Sequence, residues 1–210
     1  MTDVLASLAA LGVVPVVVVD DPANAAQLGE ALIDGGLPTA EVTLRTPRAL
    51  DAIRELASLP GMVVGAGTVL TPQQVGGAVD AGAQYIVSPG FSLAVSAECA
   101  KLGVPLVPGA VTATEIMAAL DAGHGTVKFF PAEASGGLPT LKALSAPFAD
   151  VRFVPTGGIT ALTLGDYLRV PSVAAVGGTW IAPRDLLAAG DFAEISARAA
   201  SAVSIVREER

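Results

Sequence analysis

The sequence predicts an α/β protein: a single (β/α)8 barrel of the TIM type, of minimal size, spanning residues 1–210 with a short N-terminal helix. Three observations predict it. Short β-branched or apolar runs recur eight times, each closed by Gly, Pro or Asp, with start-to-start spacings of 21 to 26 residues. The segments between them are rich in Ala and Leu and carry helix start and stop signals. The runs themselves are continuously apolar, as expected of parallel strands covered on both faces. Eight such units in this length fit a closed barrel. An open doubly wound sheet is the alternative. The likeness of all eight units, and the absence of an opening G-x-G-x-x-G, favour the barrel.

In chain order, the first apolar stretch, Val4 to Val19, resembles a membrane span or leader only superficially. Asp3 stands where a basic flank would be needed, Gly12 and Pro15 interrupt the stretch, and it is short for a span. It reads as a short helix followed by the first strand, "VVPVVVV" from Val13. The next runs are "TAEVTLR" from Thr39, "MVVGAG" from Met62, "QYIVS" from Gln84 and "PLVPG" from Pro105. "TVKFF" from Thr126, "VRFVPTGG" from Val151 and "VAAVGG" from Val173 complete the set. Helical patterns such as "NAAQLGEALIDGG" and "TATEIMAALDAG" lie between, several ending at Gly. "TPRAL", "TPQQV" and "TATE" read as helix openings with a capping residue or proline.

Composition narrows the function. The chain is 52% hydrophobic and only 15% charged, below the roughly 25% charge usual for soluble domains. So little charge leaves room for an apolar interface between copies. The net charge is −8 with no cluster of Lys or Arg, which argues against nucleic acid and anionic membranes as partners. Cys99 is the single cysteine, so there is no internal disulfide framework and no thiolate metal cluster. A cytoplasmic location is expected. His124 is the single histidine and follows a helix-ending Gly123; no metal triad is available and no metal or other cofactor is expected. Cys99 and Trp180 read as packing residues, and Glu133 as loop structure beside the site.

The informative anomaly is charge inside strands. Lys128, one of three lysines, stands in Val-Lys-Phe-Phe, a run that should be buried. A buried ammonium must be paired or neutralised. Strand side chains alternate faces, so Glu41, Thr43 and Arg45 share one face of "EVTLR", and Thr126, Lys128 and Phe130 share one of "TVKFF". Val42, Leu44, Val127 and Phe129 suit packing against helices, which turns the polar faces into the barrel. Lys128 and Glu41 are then candidates to meet there. Arg45 should lie about 13 Å further along the strand, at ~3.3 Å per residue, towards the C-terminal rim. Such a pair either neutralises two core charges or performs chemistry. A desolvated lysine that is partly neutral can attack a ketone to form a Schiff base, with the carboxylate as acid/base. Arg45 can grip a carboxylate with its planar fork.

Two glycine pairs end the last two strands: "PTGGI" (residues 155–159) and "VGGTW" (residues 176–180). Phosphate sites in barrels of this kind are commonly built from those two loops. Glycines allow backbone N–H groups to approach phosphate oxygens, and a helix N-terminus adds positive potential. Thr160 and Thr179 can add hydroxyl donors. "VGAGT" (residues 64–68) and "SPGF" (residues 88–91), which contain Thr68 and Pro89, are similar strand-end turns.

"GLPTAEVTLR" (Gly36 to Arg45) and "GHGTVKFFPAEASG" (Gly123 to Gly136) resemble the two signatures of the bacterial 2-keto-3-deoxy-6-phosphogluconate (KDPG) aldolase / 4-hydroxy-2-oxoglutarate (KHG) aldolase family. The resemblance continues in order through "VGAGTVLTPQQ", "AGAQYIVSPG", "VRFVPTGGI" and "AVGGTWI", covering most of the chain. It implies that Lys128 is the Schiff-base lysine and Glu41 the acid/base. Arg45 and Thr68 would hold the pyruvyl end, with Pro89 among the contacts. The phosphate would rest on the Gly157–Gly158 and Gly178–Thr179 backbone, and Thr156 would face the C4 region. It also implies a metal-free homotrimer. Val127 stands in place of an aromatic found in some relatives, Thr179 replaces a serine, and "PGAVTATE" is more apolar than the family pattern. Neither of the first two departures removes a needed group; the third bears on how the substrate is oriented.

The implied reaction is reversible cleavage of the phosphorylated keto acid KDPG to pyruvate and glyceraldehyde 3-phosphate, with KHG as a second substrate. The galactonate-epimer aldolase of the same family shares these parts; Thr156 favours the gluconate substrate. Two other classes remain open. A different phosphate-binding barrel enzyme, of the epimerase or thiamine-phosphate synthase type, has no need of a strand-six lysine. A non-catalytic sugar-phosphate sensor has no use for an imine-forming amine.

Overall fold

All eight apolar runs form parallel strands. The computed structural model describes residues 3–210, so the first two residues of the expected 1–210 span lie outside the described residues. The strands are β1 (Val13–Val17), β2 (Thr39–Thr43), β3 (Val63–Gly67), β4 (Tyr85–Val87), β5 (Leu106–Val107), β6 (Thr126–Val127), β7 (Arg152–Phe153) and β8 (Val176–Gly178). Six pair in the order β5-β4-β3-β2-β1-β8, and β6 pairs with β7. Single parallel bridges, Gly109 to Lys128 and Thr156 to Gly177, lie between the six-stranded and two-stranded groups. Register matters for the site: Glu41 of β2 stands opposite Val16 of β1 and Gly65 of β3.

Helices alternate with the strands. They are α1 (Val4–Leu11), α2 (Ala25–Asp34), α3 (Ala49–Ala57), α4 (Pro72–Asp80) and α5 (Leu93–Leu102). After β5 come α6 (Ala113–Asp121), α7 (Gly137–Ser145), α8 (Ala161–Leu168), α9 (Arg184–Ala189) and α10 (Phe192–Glu209). The expected caps at "TPQQV" and "TATE" form: Thr71 with Gln74, and Thr112 with Glu115, make reciprocal capping boxes. A cap of this kind stabilises a helix by about 1 kcal/mol. "TPRAL" behaves differently. Thr46 does not cap α3; its hydroxyl donates to the Val19 carbonyl at 2.7 Å and ties the loop after β2 to the end of β1. α5 stops at Gly103, whose φ of 67° is a left-handed cap that a side chain would strain. No helix among the described residues is long and apolar enough to cross a membrane.

Strand parity sorts the core into two layers. Ala40, Val42, Val64, Ile86, Val127, Phe129 and Phe153 pack outward against helix residues such as Leu28, Leu32, Ile53 and Leu56. Burial of each of the Val, Leu, Ile and Phe side chains contributes about 1.5–3 kcal/mol. Val14, Tyr85, Val87, Val107 and Ala175 point the other way, into the curl of the sheet, where Leu8 of α1 covers the N-terminal end. Above that inner apolar layer, towards the C-terminal ends of the strands, the inward side chains turn polar.

Candidate active site

β2 and β6 each contribute one buried charge to the interior, as their parity requires. Lys128 Nζ donates to Glu41 Oε1 at 2.8 Å, and the two side chains are 7% and 4% exposed. In so dry a place neither charge is tolerable alone: deleting one partner of a buried pair typically costs about 3–5 kcal/mol. Gly67 of β3 makes room for the carboxylate. A β-carbon there would fall 2.2 Å from Glu41 Oε1, so a side chain would push Glu41 away from Lys128. The Phe130 ring, from the same face of the β6 segment, lies 5.3 Å from Nζ and offers its π-face to the cation. Tyr85 sits on Gly65, the register partner of Glu41. Burial, and then the Glu41 charge, hold its phenol well above the ordinary value. Its hydroxyl is protonated and has no hydrogen-bond partner among the described residues.

Glu41, Lys128 and Phe130 line a cavity of about 120 Å³ at the C-terminal ends of the strands, with Gly67 and Tyr85 behind them. Of the residues expected from sequence, Glu41, Arg45, Thr68, Pro89, Lys128, Thr156, Gly157, Gly158 and Thr179 line it together. Gly178 does not; its α-carbon is covered by the Trp180 indole, and Gly177 lines the cavity instead. Thr43, Val16 and Ile159 complete the wall with Phe130. Phe130 and Thr43 could have been selected by parity alone, since they share faces with Lys128 and Glu41. Gly177 carried no signal that separated it from Gly178.

Arg45 reaches the cavity by a different route from the one expected. β2 ends at Thr43, and the chain turns so that the Arg45 N–H donates to the Thr43 carbonyl at 2.8 Å. The extended 13 Å reach beyond Glu41 is therefore not realised; the turn brings Arg45 to the cavity mouth, where it is exposed. Thr68 has φ 58°, a left-handed conformation that a β-branched residue adopts at a cost of about 1–3 kcal/mol. The reward is a hydroxyl-bearing residue set in the wall immediately beyond Gly67.

The opposite wall is built of backbone. Gly157 and Gly158 have φ of 102° and 81°, both in the region that only glycine enters freely. The loop they form leads into Thr160 and the N-terminus of α8. Gly177 lies against Thr156: a β-carbon at Gly177 would meet Thr156 Oγ1 at 2.2 Å. This wall therefore presents peptide backbone and hydroxyls, without Lys or Arg, a composition that can accept an anion.

Other titratable groups lie elsewhere. His124 pairs with the Ser96 hydroxyl at 2.7 Å and tilts against Phe91; burial pulls its imidazole below the ordinary range. Burial also pushes the Cys99 thiol up to about 11, which keeps it protonated. No group of three or more His, Cys, Asp or Glu among the described residues is arranged to hold a metal.

A curled parallel sheet with a buried lysine–carboxylate pair at the C-terminal ends of its strands is the arrangement that an amine-based enzyme requires. The family model described as KDPG and KHG aldolase matches residues 4–198, and the chain belongs to that family. It is 46% identical over 192 residues to the KHG/KDPG aldolase of Escherichia coli strain K12, covering 91% of this chain and 90% of that protein. The crystal structure of the KDPG aldolase of Zymomonas mobilis ZM4 with 3-phosphoglycerate superposes with a TM-score of 0.90 at 44% identity, covering 96% of this chain and 95% of that one. The Legionella pneumophila KDPG aldolase, with pyruvate captured at low pH as a covalent carbinolamine intermediate, gives a TM-score of 0.92 at 41% identity, covering 96% and 98%.

Proposed function

We propose that this chain is a class I aldolase that reversibly cleaves KDPG to pyruvate and glyceraldehyde 3-phosphate. The observation that carries the proposal is the 2.8 Å contact between Lys128 Nζ and Glu41 Oε1 at the floor of the cavity. The amine must shed a proton before it attacks, and the Glu41 carboxylate is within reach to accept it. Lys128 then adds to the C2 ketone, and Glu41 returns its proton to the carbinolamine hydroxyl, which leaves as water and gives an iminium that serves as electron sink. Glu41, directly or through water, removes the proton from the C4 hydroxyl. The C3–C4 bond breaks, glyceraldehyde 3-phosphate leaves, and the enamine is protonated at C3 and hydrolysed to pyruvate. Arg45 and Thr68 hold the carboxylate, Pro89 borders them, and Thr156 faces C4. The phosphate rests on Gly157, Gly158 and Thr179, beside Gly177, with Gly178 behind. The double name of the Escherichia coli relative supports KHG, cleaved to pyruvate and glyoxylate, as a second substrate.

The same reading takes the eight strands as one closed (β/α)8 barrel in a single domain, supported by the bridges at Gly109–Lys128 and Thr156–Gly177. It takes the chain as a cytoplasmic homotrimer; exposed Leu93, at 70%, and Met117, at 57%, on the neighbouring α5 and α6 support an apolar contact. The test of function is incubation with pyruvate and borohydride. One stable secondary amine per chain is expected, on the peptide that contains Lys128. Lys101 does not compete, because it is solvated and paired with Glu98; Lys142 lies on the last turn of α7. An adduct spread over several lysines, or none, defeats the proposal.

A further inference from the structure

Glu133 is an acidic side chain beside a cradle for an anion, where its charge opposes binding. Its environment explains its presence. The Tyr167 phenol, 1% exposed on the last turn of α8, donates to Glu133 Oε1 at 2.5 Å. Burial and the Glu133 carboxylate hold that phenol well above its ordinary value. Gly137, with φ 59°, leaves the niche in which the two side chains meet: a β-carbon there would stand 3.2 Å from Glu133 Oε2 and 3.4 Å from the Tyr167 oxygen.

The stem of Glu133 lies on the cradle itself. A β-carbon on Gly158 would meet Glu133 Cβ at 2.6 Å and Cγ at 2.7 Å. The Glu133 N–H donates to the Gly157 carbonyl at 3.0 Å, and the Ala132 N–H to the Thr156 carbonyl at 2.8 Å. Thus the segment that leaves Lys128 is laced to the loop after β7, while Tyr167 anchors the lace to the far end of the helix that this loop begins. We infer that Tyr167 and Glu133 are positioning residues for the phosphate cradle and set selectivity for phosphorylated over unphosphorylated keto acids. The inference rests on the KDPG aldolase reading. Tyr167 holds the carboxylate towards α8 and away from the phosphate, and the Glu133 stem keeps the Gly157–Gly158 amides turned towards it.

The test separates the two ends of the substrate. For Tyr167→Phe, KM for KDPG rises about tenfold and kcat stays within about twofold, the pattern of lost uniform binding. The pyruvate concentration that half-saturates borohydride trapping stays unchanged, because pyruvate has no phosphate. Glu133→Ala behaves like Tyr167→Phe. Glu133→Gln keeps an acceptor for the phenol and loses the opposing charge, so its KM is no higher than that of the wild type. An unchanged KM for KDPG in both Tyr167→Phe and Glu133→Ala overturns the inference. So does a parallel loss of pyruvate affinity, which marks general loosening. A wild-type chain that traps no pyruvate overturns the functional reading instead, and this inference with it.

Discussion

The two walls of the cavity are built by opposite means. On the β2–β6 side, Glu41, Lys128 and Arg45 present charged side chains, two of them buried in mutual contact. On the β7–β8 side, Gly157, Gly158 and Gly177 present backbone, flanked by Thr156 and Thr179. The first wall depends on groups that substitution can delete. The second depends on the absence of side chains, so the damaging change there is an addition. Under the proposed function, an acidic chain in this way binds a phosphate ester without a cation and keeps its buried amine for chemistry.

The largest effect expected is that of Lys128→Ala, which removes the nucleophile. Turnover falls by more than about 10⁴-fold and the pyruvate adduct disappears. The unpaired Glu41 also lowers stability by about 3–5 kcal/mol, so denaturant unfolding should accompany the assay. Near wild-type cleavage in this variant would return Lys128 to a purely structural role.

Glu41→Gln comes next. It removes proton transfer and leaves the amine, so turnover drops by about 10²–10⁴ while pyruvate trapping persists. Gly67→Ala reproduces part of this loss by pushing the carboxylate off Lys128, and a displacement near 1 Å is enough for about 10²-fold. Because the pair it separates is buried, stability should fall as well, by up to about 3–5 kcal/mol. Single-turnover rates with KDPG, set beside melting curves, check both variants.

A smaller effect is expected on the other wall. Gly177→Ala displaces Thr156 and raises KM for KDPG by about tenfold, with pyruvate trapping intact. Steady-state kinetics with paired trapping decide it; equal damage to both readouts would mean that the two walls are not separable.

The smallest effect is none. Exhaustive treatment with EDTA should leave kcat and KM unchanged, since the reaction as proposed draws its electron sink from the iminium. Activity lost to chelation and restored by a divalent ion would break the comparison, because a third kind of group would then be at work.

How much of this was legible in sequence depends on the range of the interaction. Parity along a strand is local, and it placed Glu41 and Lys128 on inward faces, and Val42 and Val127 on outward ones, before any coordinates. Caps are local as well, and Thr71 and Thr112 form them. Thr46 fails to, because the Val19 carbonyl, from another strand end, offers its hydroxyl a competing partner.

The sequence by itself determined the eight-fold alternation of strand and helix, the two inward charges and the glycine-rich turns, since each follows from spacing and residue type. Tertiary structure alone decided which of these met. Lys128 and Glu41 are 87 residues apart, and their 2.8 Å contact exists because the sheet curls to bring β6 across from β2. The turn after Thr43 set where Arg45 points. The Trp180 indole, lying on Gly178, left Gly177 as the residue that lines the cavity. The physical reason is the same in each case: a residue's type fixes what it can do, while its neighbours through space fix which of those interactions costs least.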